Sequence, residues 1–217
     1  MHMEKLSTDE MLSLEKIVKS IQESVDKFPE LQRKLNLKDK LGGVIGEAIG
    51  LTKLFEIYRD TAKYKWHGKT QEGFDVIVTK NGKSEKIQIK ASAEKEYMFR
   101  VAKVSMGGKE NAEKVKQEVL NKKPVFVGIF ERIDKAIDST KADKWLLVHV
   151  KEKANDFYFI EKEGLKEIIK KHYQNAVETR DHTKSKKQFN AYIDKTYVYH
   201  PILTQKRDSY LLEKYKI

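Results

Sequence analysis

Asp75, Gln88 and Lys90 are the residues whose types and spacing can do chemistry. They lie in FDVIVTKNGKSEKIQIKAS, which alternates apolar and polar residues with the period of a β-hairpin. Asn81-Gly82 supplies the two positive-φ positions of a type I′ turn. That turn pairs Lys80 with Lys83 and, carried outward, sets Asp75 opposite Gln88 and Gly73 opposite Lys90. Directly opposed residues share a face with Cβ atoms ~5 Å apart. Alternation keeps Lys90 on the face of Gln88 and turns Ile87 and Ile89 to the other. A carboxylate, a carbonyl oxygen and a lysine converging in this way suit Mg²⁺-dependent phosphodiester hydrolysis. Hard oxygen ligands hold Mg²⁺, which acidifies a water, while a lysine orients that water and stabilises the developing anion. Taken alone, the same three residues also read as ordinary polar groups on a half-exposed sheet face.

The stretch that must position them begins upstream. A helix is expected from about Lys40 to Asp60. At ~100° per residue its Leu41, Val44, Ile45, Ala48, Leu51 and Phe55 form an apolar stripe, and Gly43, Gly46 and Gly50 a separate small-residue face. Each glycine costs a helix ~1 kcal/mol against alanine, so three on one face call for close approach of a backbone, a partner or a phosphate. Glu47 falls on the boundary between the faces. By itself it reads as a solvated edge residue; beside the hairpin it can supply a second carboxylate.

Around this core the chain reads as one α/β unit with helical additions. Ser7-x-x-Glu10 is a capping box heading a helix that Pro29 stops, and a short second helix follows to about Lys40. After the hairpin, Tyr97 to Ser105 reads as a third strand, Asn111 to Asn121 as a helix, and Val125 to Phe130 as a buried strand. Trp145 to Val150 and Phe157 to Ile160 are further strands, Gly164 to Tyr173 an amphipathic helix, Thr196 to Tyr199 a strand and Asp208 to Tyr215 a last helix. The 217 residues contain no cysteine, which excludes disulfide frameworks, thiolate zinc sites and thiol nucleophiles. No apolar run approaches the ~20 residues of a membrane span, and nothing near the first residue resembles a signal peptide, so a soluble, cytoplasmic protein with no membrane partner is expected. The histidines, at positions 2, 67, 149, 172, 182 and 200, lack metal-ligand spacing, and His149 reads as a structural strand residue.

Lys and Arg exceed Asp and Glu by 44 to 33, a formal net charge of +11. A pI near 9.4 fits a polyanion binder, though a lysine excess also arises from Lys/Glu enrichment unrelated to binding. Gly107-Gly108-Lys109, between a strand and a helix, reads as a simple turn or as a phosphate contact through backbone N–H groups. In the tail, Arg180, Lys184, Lys186 and Lys187 sit among Phe189, Tyr192, Tyr197 and Tyr199. Basic residues interleaved with aromatics suit nucleic-acid backbone contact and base stacking, or a solvated loop over an aromatic cluster.

The helix G-x-x-G-E (Gly43 to Glu47), then G-F-D (Gly73 to Asp75), then I-Q-I-K-A-S (Ile87 to Ser92) together resemble the PD-(D/E)XK nuclease superfamily, most nearly its Gln-x-Lys members such as Mrr-like nucleases. The resemblance spans roughly residues 40 to 130, with Phe74 in place of the usual proline and Gln88 in place of the usual acid. It implies a restriction endonuclease-like α/β core, a central mixed β-sheet flanked by helices, with N-terminal helices and a C-terminal extension. The expected organisation is a single nuclease domain over 1–217: a helical extension at 1–40, a catalytic core at 41–130, and remaining strands and the basic extension at 131–217. Carried over by resemblance, Asp75 is the essential metal ligand, Lys90 the catalytic lysine, Gln88 the variable acid position, Ile89 a backbone-carbonyl ligand and Glu47 the helix acid. The implied cofactor is Mg²⁺, with Mn²⁺ able to substitute.

The activity so implied is endonucleolytic cleavage of double-stranded DNA, of the type II restriction kind. The additions outside the core suit a homodimer with one site per strand, matching a palindromic target. A structure-specific nuclease such as a junction resolvase is the alternative within enzymes. A non-catalytic DNA-binding relative, with Gln88 marking a degraded site, is the alternative outside them.

Overall fold

The computed structural model describes residues 16, 37–59, 62–66, 73–93, 95–120, 127–151, 153–178 and 197–217. The expected helices before residue 37, apart from Lys16, and the basic stretch 179–196 lie outside these residues. The described chain is mixed α/β. A long helix α1 (Leu37–Tyr58) leads into strands β1 (Lys63–Trp66), β2 (Val76–Lys80) and β3 (Lys83–Ser92). Asn81 and Gly82 carry the two positive φ values, 53° and 76°, that the type I′ turn demands. The ladder has the expected register, from Lys80↔Lys83 to Val76↔Ile87.

β4 (Met98–Arg100) and β5 (Val104–Ser105) follow, then helices α2 (Lys109–Leu120) and α3 (Val127–Asp138), strands β6 (Lys144–His149) and β7 (Asp156–Glu161), and helix α4 (Lys162–Glu178). The chain ends with β8 (Val198–Tyr199), β9 (Ile202–Thr204), α5 (Gln205–Leu212) and a 3₁₀ turn. The main sheet has the order β1-β2-β3-β6-β7. β1 and β3 both run antiparallel to β2, and β6 runs parallel to β3, so the sheet is mixed.

Three expectations change here. A strand at 63–66, not foreseen, forms the edge beside β2; its lysines Lys63 and Lys65 are exposed, as suits an edge. The segment 97–105 does not extend the hairpin. It splits into β4, paired with β9, and β5, paired with β8. Finally, the run expected as a strand at 125–130 is helical from Val127 onward, and β6 takes the place beside β3.

The chain divides into two compact units. The first holds α1, the sheet and the C-terminal residues 215–217. Its core on one sheet face is Leu54 of α1 with Val76, Val78, Ile87, Ile89, Leu146 and Val148. The second unit holds residues 98–140 and 161–214. In it α3 buries Ile129, Ile133 and Ile137 and packs on α4, which buries Leu165, Ile168, Ile169 and Tyr173. Lys166–Asp138 at 2.7 Å and Lys170–Asp134 at 2.6 Å join the two helices at their rim. A buried His172–Asp208 pair, Nδ1 to Oδ1 2.8 Å, ties α4 to α5, and Asp208 Oδ2 also accepts the Thr204 N–H at 2.8 Å.

Candidate active site

The glycines of α1 fix how the helix meets the sheet. A Cβ on Gly46 would fall 1.9 Å from the Ala91 Cβ, and one on Gly50 2.7 Å from the Ile89 Cγ2. The helix backbone therefore rides directly on alternate residues of β3, and the cost of glycine within a helix is offset by that approach. At Gly43, the third member of the expected small-residue face, an added Cβ would meet nothing within 4 Å among the described residues. Glu47 is half-buried and follows Gly46, so its Cα lies ~3.8 Å from the residue seated on Ala91. Its backbone is thus brought close to the end of the strand that carries Gln88 and Lys90.

At the other margin of β3, β2 stops. Its ladder ends at Val76↔Ile87, so neither the expected pairing of Asp75 with Gln88 nor that of Gly73 with Lys90 forms; Gly73 turns the chain away at φ 75°. Asp75 stands in for the missing strand: its N–H donates to the Ile87 carbonyl at 2.9 Å, and its Oδ2 accepts the Ile89 N–H at 2.6 Å. In a strand, the N–H and C=O of one residue point to the same side and successive residues alternate. Lys86 and Ser92 direct their carbonyls to Asp143 and Val150, on the β6 side. Ile89 directs its N–H, and hence its C=O, to the side that β2 has vacated. The Ile89 carbonyl and the Asp75 carboxylate therefore share one corner.

Burial raises the Asp75 pKa above its ordinary value of 3.8; the Ile89 N–H and the positive charge of Lys90 pull it down without cancelling that effect. A cation placed beside this carboxylate would offset the same desolvation, so Asp75 and the Ile89 carbonyl suit a hard metal ion such as Mg²⁺. Gln88 suits it less. Its Oε1 accepts a hydrogen bond at 3.0 Å from the indole Nε1–H of Trp145, the residue paired with it across the β3–β6 ladder. Among the described residues, no three His, Asp or Glu side chains are grouped so as to hold a metal ion.

The structure thus places Asp75, Gln88, Ile89 and Lys90 around the point where β2 ends, with Glu47 near the far end of β3. Trp145 was not anticipated. The sequence signal for it is a tryptophan at the start of an apolar strand, since an indole N–H with no exposure needs an acceptor. Of the residues expected to touch DNA, Lys109 opens α2 after Gly107 and Gly108, whose φ values are 71° and 128°. The Arg132 guanidinium lies against that turn, with Nη1 2.7 Å from where a Gly107 Cβ would be. An open depression of about 720 Å³ along α2 sets Lys109 and Lys114 among Glu110, Glu113 and Gln117. Its charges largely cancel, which makes it a poor anion site. Arg180, Lys184, Lys186 and Lys187 lie outside the described residues. No helix among the described residues is long and apolar enough to cross a membrane. No family model, curated protein or solved structure matches the chain.

Proposed function

We propose that this protein is a Mg²⁺-dependent endonuclease that hydrolyses phosphodiester bonds in double-stranded DNA, of the restriction type and acting as a homodimer. The observation that carries the proposal is the corner at the end of β2. There a half-buried carboxylate of raised pKa is bonded to the backbone of β3 between Gln88 and Lys90. Asp75, the Ile89 carbonyl and, from α1, Glu47 are the oxygen donors that would hold the metal. The chemistry that Mg²⁺ supplies when bound is acidification of a water and neutralisation of phosphate charge. Lys90, on the face of Gln88, orients the attacking water and stabilises the anionic charge that grows at phosphorus. Its positive charge acts on Asp75, lowering that carboxyl's pKa against the effect of burial.

A second reading, a DNA-binding relative without activity, draws on the Trp145–Gln88 hydrogen bond, which leaves the amide oxygen poorly placed for a metal. Cleavage of mixed duplex and branched DNA by wild type and Lys90→Ala, in Mg²⁺ and in EDTA, separates the readings. Discrete duplex fragments that need both Mg²⁺ and Lys90 are the expected result. Cleavage confined to branched DNA would move the assignment to a junction enzyme. Salt-sensitive binding with no cleavage of either substrate would sink the enzymatic reading.

A further inference from the structure

The indole N–H of Trp145 is a donor and nothing else, so the Gln88 atom facing it at 3.0 Å has to be the carbonyl oxygen, whichever way an amide is drawn. Trp145 has no exposed surface, so this N–H cannot turn to water instead. Gln88 is half-buried, and among the described residues its side chain's one hydrogen bond is the one its oxygen accepts from Trp145. With the oxygen fixed on the indole, the amide's two N–H donors point away from it. Gln88 shares its face of β3 with Lys90, and Leu147 lies beside Lys90 on β6 in the same parallel ladder. A metal ion on the remaining lone pair would share an oxygen with the positive end of the indole dipole. Leaving the indole for the metal would strand a buried donor. A phosphate oxygen faces neither obstacle, because it accepts from the amide nitrogen while the indole bond stays intact.

We infer that Gln88 is a hydrogen-bond donor to a phosphodiester oxygen and not a ligand of the metal, with Trp145 the positioning residue that holds it in that orientation. The inference rests on the nuclease reading and assigns the neutral residue of its site. It leaves the metal to Asp75, the Ile89 carbonyl and Glu47, so the site binds cation and phosphate through different residues.

The test reads binding and spectra, not turnover. With Trp66→Phe used for assignment, the indole Nε1–H of Trp145 and the side-chain amide of Gln88 are followed by ¹⁵N–¹H NMR. One titration adds Mg²⁺ alone and another a short DNA duplex in EDTA. Mg²⁺ is expected to leave both signals in place, and the duplex to shift the Gln88 amide while the indole stays bonded. By calorimetry, Gln88→Ala is expected to keep wild-type Mg²⁺ affinity and to weaken duplex binding in EDTA about tenfold, the loss of one hydrogen bond to a charged oxygen. Gln88→Glu, which still accepts from the indole but carries charge, is expected to bind Mg²⁺ more tightly than wild type and the duplex less. Loss of Mg²⁺ affinity in Gln88→Ala on the scale of Asp75→Ala overturns the inference and leaves the nuclease reading standing. So does an indole signal that moves with Mg²⁺. If wild type binds no Mg²⁺ and Asp75→Ala is indistinguishable from it, the nuclease reading falls and takes the inference with it.

Discussion

Under the proposed function Asp75 would serve two purposes that ask different things of its charge. As a cap on β3 it needs only an oxygen to accept the Ile89 N–H; as a metal ligand it must be ionised in a place where burial raises its pKa. A carboxyl whose folded pKa is raised binds its proton more tightly folded than unfolded, so ionisation costs stability. That cost is absent below the unfolded value of about 3.8, grows as pH rises from there to the folded pKa, and is fully present above it. Asp75→Asn keeps an oxygen for Ile89 and cannot ionise. It is expected to melt higher than wild type at neutral pH, with the gain shrinking to nothing as pH falls below 3.8, and to lose at least ~10²-fold in cleavage. Thermal melts across pH, run beside cleavage assays, check both halves; a gain that persists at low pH would show that charge is not its source. The hairpin register as far as Val76↔Ile87 was legible in the sequence because alternation and the Asn81-Gly82 turn fix it. The departure at Gly73 was not, since it depends on where β2 leaves the sheet. Nor was Trp145 as the partner of Gln88: the two are 57 positions apart and meet only through the β3–β6 pairing.

At the scale of elements, the contact of α1 with β3 is set by two glycines and not by the apolar stripe. Gly46→Ala places a Cβ 1.9 Å from the Ala91 Cβ, a backbone-fixed atom that cannot swing aside, and is expected to destabilise by about 3 kcal/mol or more. Gly43→Ala meets nothing among the described residues and is expected to stabilise by about 1 kcal/mol through helix propensity. Urea titration of the two variants distinguishes close packing from a general effect of alanine. In the second unit, Asp208→Ala would leave both the buried His172 imidazole and the Thr204 N–H without their acceptor. A loss of about 3–5 kcal/mol is expected. Asp208→Asn, which keeps an acceptor, is expected to lose less in the same titration. Element types came through best where the pattern was long, as in α1, the hairpin and α4. The run at 125–130 misled because a short apolar stretch has no period of its own. The helical spacing shows only on continuing to Ile129, Ile133 and Ile137, all buried. β1 escaped notice because KYKW is an edge strand whose exposed lysines leave little apolar signal.

For the whole molecule, the distribution of charge would decide how strongly the proposed DNA binding responds to salt. The net charge of +11 is carried almost entirely by lysine, a compact charge that neutralises phosphate without the planar geometry for reading bases. Binding to duplex DNA is therefore expected to be chiefly electrostatic, its logarithm falling linearly with the logarithm of salt concentration. If Lys184, Lys186 and Lys187 each neutralise one phosphate, replacing all three with alanine lowers the magnitude of that slope by about three, at ~0.9 per contact. The same loss should appear on sequences that are cut and on sequences that are not, because phosphate contacts position a protein without reading it. Fluorescence anisotropy of a labelled duplex across a salt series measures the slope for both proteins. An unchanged slope would assign the stretch to a solvated loop over its aromatic residues and move the phosphate contacts elsewhere on the chain. A slope change confined to one DNA sequence would mean that these lysines read the target instead of holding its backbone.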